Sequence, residues 1–89
     1  MPRVVFTQNL RRHIDCPECE VAGGTVREAL EAAFADNPLL RGYVLDDQGA
    51  LRRHMGIIVD GEALKDRNRL SDPVSSHGTI HVLQALSGG

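Results

Sequence analysis

One amphipathic helical pattern, set between strand-like segments, constrains the fold of this 89-residue chain. The pattern begins at Thr25, which forms a capping box with Glu28, and a capping box satisfies two backbone amides at a helix start. We expect the helix to end at Asn37, because the residue before a proline avoids the helical conformation. A helix with one apolar stripe needs a sheet to cover that stripe. The stripe follows a three- and four-residue spacing and consists of Val26, Ala29, Leu30, Ala33 and Phe34.

Two strand-like segments precede the helix. Residues 4–6 (Val-Val-Phe) are rich in residues that favour strands, and we predict a first strand there. Residues 18–21 are predicted to pair with it in a loose hairpin, with a loop over residues 10–17. Gly23-Gly24 then stops the second strand before the helix begins.

The segments after the helix are richer in β-branched residues. Tyr43-Val44-Leu45 is predicted to be a strand, and residues 51–54 are predicted to return as a short strand. Ile57-Ile58-Val59 is the most strongly β-branched run of the chain, so it is expected to form a central strand. Asp60-Gly61 is typical of a tight turn between strands.

The final third of the sequence alternates between irregular and regular patterns. Residues 62–76 are predicted to be irregular, with Leu64 and Leu70 as buried anchors and Asp72-Pro73 as a turn. Residues 79–85 alternate between apolar and polar side chains and therefore predict a last strand.

The resulting order is strand, strand, helix, strands and a last strand. In a small domain of this kind the helix packs across one face of the sheet. If the first and last strands are parallel neighbours at the centre, the fold is α+β, a ubiquitin-like β-grasp. Its mixed sheet would have four to five strands and one main helix on one face. We expect one domain over residues 1–85 and a flexible Gly-Gly tail over residues 86–89.

Composition excludes several classes of function. The formal net charge of −2, with mixed signs along the chain, provides no basic field for nucleic acid. Arg11-Arg12 and Arg52-Arg53 are therefore interpreted as local solvated patches or partner contacts. No apolar run approaches the roughly 20 residues that span a bilayer, so no membrane partner is expected. Without the apolar segment of a signal peptide near Met1, cytoplasmic residence is the expectation.

Five short motifs occur in order along the chain: Gly24-Thr25-Val26, Val59-Asp60-Gly61-Glu62, Leu70-Ser71-Asp72, His77-Gly78-Thr79-Ile80-His81-Val82 and Gly88-Gly89. With these motifs the chain resembles the ubiquitin-like sulfur carriers, the family of the thiamine-pathway carrier ThiS and the molybdopterin synthase small subunit MoaD. The resemblance covers essentially the whole chain, although His77-Gly78-Thr79 replaces the acidic turn of that family and Leu86-Ser87 stands where many relatives have Val-Ala. These departures leave the pathway open.

The resemblance implies that Gly88 and Gly89 carry the function. An adenylyltransferase of the ubiquitin-activating type would bind the chain and use ATP to adenylate the Gly89 carboxylate. A sulfur donor enzyme would then convert it to a thiocarboxylate, which passes its sulfur to an acceptor enzyme in cofactor or metabolite biosynthesis. Glycines suit this role because bulky side chains would not pass into a site that excludes water. The chain is thus expected to be a carrier and not an enzyme, with no cofactor of its own.

The last strand suggests where such partners dock. Side chains alternate between the faces of a strand, so we assign Ile80 and Val82 to the core beneath the helix. The opposite, open face and the start of the tail form the predicted docking surface. Its residues are His81, Leu83, Ala85, Leu86 and Ser87.

A second constellation, Cys16-Pro17-Glu18-Cys19 with His13 three residues before it, could be half of a zinc site or a redox pair. A zinc site needs about four ligands, and the remaining histidines are scattered. A redox pair belongs at a helix start, which lowers the thiol pKa, whereas this one precedes a strand. Two reduced thiols are therefore favoured, and no metal site is predicted.

Two other functions use the same tail and remain open from the sequence. A ubiquitin-like modifier would have the activated Gly89 attacked by a lysine amine, leaving an isopeptide bond. A small subunit of a molybdopterin-synthase-like complex would insert its tail into the active site of its partner. A longer precursor trimmed to Gly89 is a further open alternative.

Overall fold

The computed structural model describes residues 1–6, 18–35 and 38–84 of the chain. In these residues five strands and two helices form. The elements are β1 (Arg3–Phe6), β2 (Cys19–Glu20), α1 (Val26–Ala35), α2 (Pro38–Val44), β3 (Met55–Val59), β4 (Glu62–Ala63) and β5 (Thr79–Gln84).

The five strands form one mixed sheet in the order β2-β1-β5-β3-β4. β1 and β5 are parallel neighbours at its centre, and the other three pairs are antiparallel. Parallel strands cannot be joined by a tight turn. The chain between β1 and β5 includes both helices and the other three strands. This confirms the predicted β-grasp and the predicted hairpin of β1 with β2.

Helix α1 begins as the sequence predicts. The Thr25 hydroxyl accepts a hydrogen bond of 3.2 Å from the Glu28 N–H, and the Glu28 carboxylate accepts one of 2.8 Å from the Gly24 N–H. All five residues of the apolar stripe are buried in the core. Since burial of one large aliphatic side chain contributes about 1.5–3 kcal/mol, this stripe holds the helix on the sheet. The predicted end at Asn37 lies outside the described residues.

The strand predicted at Tyr43-Val44-Leu45 is wrong, because helix α2 (Pro38–Val44) occupies this segment. Pro38 takes the first helical position, where its missing N–H costs nothing. Leu40 and Val44, one helical turn apart, are both buried in the core. Burial of these two side chains overrides the strand preference of the β-branched and aromatic residues at the end of the segment.

The short strand predicted at residues 51–54 is also wrong. Only Leu51 pairs, in an isolated bridge with Leu45, and Arg53 and His54 form a turn that leads into β3. The Arg52 N–H donates to the Val44 carbonyl at 3.0 Å, so this segment follows the end of α2 instead of extending the sheet.

The turn at Asp60-Gly61 is confirmed. Both residues have positive φ angles, 50° and 87°, as a two-residue hairpin turn of type I′ requires. The Asp60 carboxylate also accepts a hydrogen bond of 2.8 Å from the Thr79 N–H, which ties the turn to the start of β5. The turn closes β3 onto the two-residue strand β4, which lies in the segment predicted to be irregular. β3 is an interior strand, while the central one is β5.

The irregular segment after β4 is organised by side chains that cap its backbone. Leu64 and Leu70 are buried, as predicted. The two carboxylate oxygens of Asp72 accept hydrogen bonds of 2.9 Å from the N–H groups of Lys65 and Asp66. The segment is held against the start of α1 by the Val26 and Arg27 N–H groups, which donate hydrogen bonds of 2.9 Å to the carbonyls of Asp72 and Leu70.

Gly23 lies so close to α1 that a side chain does not fit. A Cβ atom at this position would lie 2.7 Å from the backbone nitrogen of Ala29. Because the backbone of a helix cannot move aside, we expect Gly23→Ala to lower the free energy of unfolding by about 1–3 kcal/mol, the usual cost of overpacking. Urea unfolding of the wild type and the variant would measure this loss.

Gly42 provides the matched control for Gly23. It lies inside α2, where an added Cβ meets nothing within 4 Å. Alanine is preferred to glycine in a helix by roughly 0.8–1 kcal/mol, so Gly42→Ala should be neutral or stabilising. Equal destabilisation by both substitutions would show that neither effect depends on the local space.

Candidate functional site

Strand β5 separates its side chains between two faces. Ile80 and Val82 are fully buried, His81 is exposed and Leu83 is half-buried. The predicted assignment of these four residues to the core and to the open side is therefore confirmed. That His81 and Leu83 contact a partner remains a prediction.

The strands beside β5 complete this surface. Residues opposite one another on neighbouring strands share a face, and His81 lies opposite Val5 of β1 and Ile58 of β3. Leu83 lies opposite Gly56. We call the resulting surface the open face. It consists of Val5, Gly56, Ile58, His81 and Leu83.

The open face is apolar with one imidazole at its centre. Val5, Ile58 and Leu83 are each half-buried, and the two described helices pack on the opposite face of the sheet, against the core that holds Ile57, Ile80 and Val82. Val5 and Ile58 were missed from the sequence. Their alternation with the buried Val4 and Ile57 was the available signal, but only the strand register shows that they flank His81.

An ion-pair rim borders the open face at the start of β1. The Arg3 guanidinium lies 3.3 Å from the Glu20 carboxylate and 3.7 Å from that of Glu18. All three side chains are about half exposed, and such pairs contribute only about 0–1 kcal/mol. The rim is therefore a solvent-exposed border of the open face, and it contributes little to the free energy of unfolding.

The predicted tail begins where the open face ends. Gln84, the last residue of β5, lies opposite Met55, the first residue of β3. The remaining predicted site residues, Ala85, Leu86, Ser87, Gly88 and Gly89, lie outside the described residues, as does the proposed domain boundary at 85. Five residues follow Gln84, and an extended chain covers at most about 3.5 Å per residue. Covalent geometry thus keeps Gly89 within roughly 18 Å of Gln84.

A groove of about 430 Å³ lies at the other end of β3, lined by residues of the β3–β4 turn and the segment after β4. Its Asp66 carboxylate accepts hydrogen bonds from the Ser71 hydroxyl and the Arg69 N–H, which lower the pKa of Asp66 from its ordinary value of 3.8 to about 2. Asp72 is occupied by the backbone amides of the same segment. These carboxylates therefore serve the fold of the loop.

The predicted thiol pair is only partly described. Cys19 lies in β2 and packs against the core, whereas Cys16 and His13 lie outside the described residues. Within residues 1–6, 18–35 and 38–84, no group of three or more His, Cys, Asp or Glu side chains could hold a metal ion. Neither helix of this part of the chain has the length and apolar character needed to cross a membrane.

Comparison with known proteins supports the fold. No family model and no curated protein matches the chain. CysO in the BexX/CysO complex of Amycolatopsis orientalis is 22% identical with a TM-score of 0.83, and the match covers 100% of both chains. SAMP1 of Haloferax volcanii is 24% identical with a TM-score of 0.77, over 99% of this chain and 98% of that one. Urm1 of Sulfolobus solfataricus is 16% identical with a TM-score of 0.69, over 93% and 99%.

These likenesses span nearly the full length of each chain, and they confirm the ubiquitin-like β-grasp. The resemblance to the ubiquitin-like sulfur carriers, which the sequence motifs indicated, is thus confirmed in the fold.

Proposed function

We propose that this protein is a ubiquitin-like sulfur carrier that is activated at the carboxylate of Gly89. The observation that carries the proposal is the place where β5 ends. Gln84, the last residue of this central strand, lies at the edge of the apolar open face, and the two glycines follow it within five residues in the sequence. A partner enzyme that covers this face would bind the rigid body and receive the tail at the same time.

The chemistry of the tail follows from the reactivity of a carboxylate. A carboxylate is a poor electrophile, because neither oxygen is a good leaving group. When a Gly89 carboxylate oxygen attacks the α-phosphorus of ATP, pyrophosphate leaves and an acyl-adenylate forms. A sulfur donor at the oxidation level of sulfide then attacks the carbonyl carbon, AMP leaves, and the product is a thiocarboxylate.

In this scheme the catalytic groups belong to partner enzymes. The chain contributes a docking surface and an acyl group, while an adenylyltransferase of the ubiquitin-activating type binds ATP and excludes water from the adenylate. The apolar residues of the open face suit such a role, since the buried core of an interface is depleted in charged residues. A sulfur-acceptor enzyme would use the same tail.

Intact-mass measurement tests this function. The protein is incubated with the adenylyltransferase of its native host, ATP and a sulfide source. We expect a mass increase equal to the replacement of one oxygen by one sulfur. The same incubation without ATP, and with a variant that lacks Gly89, should give no increase. A wild-type protein whose mass never changes in the complete mixture would exclude the carrier function.

A second candidate, a ubiquitin-like modifier, is favoured by the structural likeness to SAMP1 of Haloferax volcanii, which is a small archaeal modifier protein. Here a lysine amine of a target attacks the activated Gly89, which forms an isopeptide bond and releases AMP. Proteolysis of native-host lysate followed by mass spectrometry would reveal lysines that carry the C-terminal residues of this chain. Conjugates without thiocarboxylate would favour the modifier.

A further inference from the structure

Four basic side chains surround the point where the chain leaves the sheet. Because Met55 pairs with Gln84, the turn of residues 52–54 lies beside the end of β5. Arg67 joins this turn by donating hydrogen bonds of 2.9 and 2.8 Å to the carbonyls of Arg52 and Met55. We call this set the basic exit surface. It consists of Arg52, Arg53, His54 and Arg67.

The basic exit surface is held in place by neutral groups. Arg67 is fixed by two backbone carbonyls, and the Arg52 guanidinium donates a hydrogen bond of 2.7 Å to the Gly42 carbonyl at the end of α2. Carbonyl dipoles orient a guanidinium without neutralising its charge. Arg53 and His54 extend into solvent from the turn. The surface is therefore preorganised and positively charged.

These arginines have no counter-ion in the part of the chain that the structure describes. The ion pairs there involve Arg3, Arg27 and Arg41, and each of these pairs with a glutamate. The carboxylates of Asp60 and Glu62 lie at the opposite end of β3. Positive charge thus collects at the tail end of the strand, although the chain carries a net charge of −2.

We infer that the basic exit surface docks on an acidic protein surface, which borders the site where the activating partner receives the tail. This inference rests on the proposed function and adds the chemistry of the partner. Guanidinium groups bind carboxylates bidentately and specifically. Complementary charge also steers association and fixes orientation, which a short tail needs in order to enter a narrow site.

A protein partner is favoured over nucleic acid by what surrounds the basic exit surface. The neighbouring open face is apolar, and a combination of arginines with an apolar centre is typical of protein interfaces. Binding of single-stranded nucleic acid instead relies on a row of aromatic side chains on which successive bases stack. His81 is the one ring among the residues of the open face, and the exposed Tyr43 beside Gly42 lies on α2 and not on the sheet.

Charge reversal at Arg53 tests the inference. ATP–pyrophosphate exchange is measured with the ubiquitin-activating-type adenylyltransferase of the same organism, as a function of carrier concentration. We expect Arg53→Glu to raise the KM for the carrier about tenfold or more at low salt with little change in kcat, because steering acts on association. The difference should shrink in 1 M salt, where the screening length falls to about 3 Å.

Lys65→Glu is the matched control. It makes the same change in net charge at an exposed position in the groove beside Asp60 and Glu62. We expect its KM to stay close to that of the wild type, and both variants should keep the unfolding midpoint of the wild type. Equal effects of the two substitutions would overturn the inference while leaving the carrier function standing. If the wild type supported no ATP–pyrophosphate exchange at all, the proposed carrier function itself would be contradicted.

A binding assay separates the two classes of macromolecule. Anisotropy of a fluorescent single-stranded oligonucleotide should show no binding to the wild type at 0.15 M salt. Oligonucleotide binding that Arg53→Glu abolishes would assign the surface to nucleic acid and overturn the inference.

Discussion

Replacement of Gly88 by valine is expected to stop activation of the tail while leaving the fold intact. The adenylate is labile in water, so the site that forms it must be narrow and closed. A β-branched side chain next to the reacting carboxylate restricts the backbone angles that glycine allows and displaces the carboxylate from its productive position. Misplacement by about 1 Å can cost about a hundredfold in rate. We therefore expect ATP–pyrophosphate exchange to fall by about that factor or more.

The control for Gly88→Val is Gln84→Val. Gln84 is exposed at the end of β5, and valine is well suited to a strand, so this variant should keep most of its activity. Both variants should unfold at the wild-type temperature. Full exchange activity of Gly88→Val would show that the tail does not enter a narrow site, and the argument for the two glycines would fail.

Truncation of Leu30 to alanine is expected to have the largest effect on stability. Leu30 lies in the middle of α1 and is 0% exposed, so the substitution removes buried methyl groups and leaves a cavity. Such changes cost about 2–5 kcal/mol, and a domain of this size has a total stability of only about 5–15 kcal/mol. One kcal/mol corresponds to about 4–8 °C in a small domain. We expect the unfolding midpoint to fall by roughly 10 °C or more.

Leu39 provides a matched control for Leu30. It is 76% exposed on α2, so Leu39→Ala removes the same atoms from water instead of from the core. Its free energy of unfolding should stay within about 0.5 kcal/mol of the wild-type value. Calorimetry of both variants would check the pair, and similar midpoints for both would contradict the burial of α1 against the sheet.

The elements with long, regular patterns could be predicted from the sequence. The capping box and the apolar stripe of α1 repeat the same signal several times, so no single residue decides the assignment. The final strand is similar, because its alternation predicts both the strand and the faces of Ile80 and His81. For the same reason, His81 and Leu83 could be named as surface residues without knowledge of their neighbours.

Short elements could not be predicted, because their local preferences are weak. Tyr43-Val44-Leu45 favours a strand by residue type, yet α2 forms because Leu40 and Val44 together reach the core. A helix of seven residues is marginal in water, and its stability comes from tertiary packing. The proline at its start and the four-residue spacing of Leu40 and Val44 were signals for it. Strand β4, with two residues, offers even less local information.

The sequence by itself determined the main helix, the first strand and the last strand, because each is encoded by residues close together in the chain. Only the tertiary structure decided which strands are neighbours. That register brings Val5 and Ile58 beside His81, and it places Arg53 beside the end of β5. These residues are distant in sequence. They lie side by side because the strands bury one common core, and a local sequence pattern contains no information about that packing.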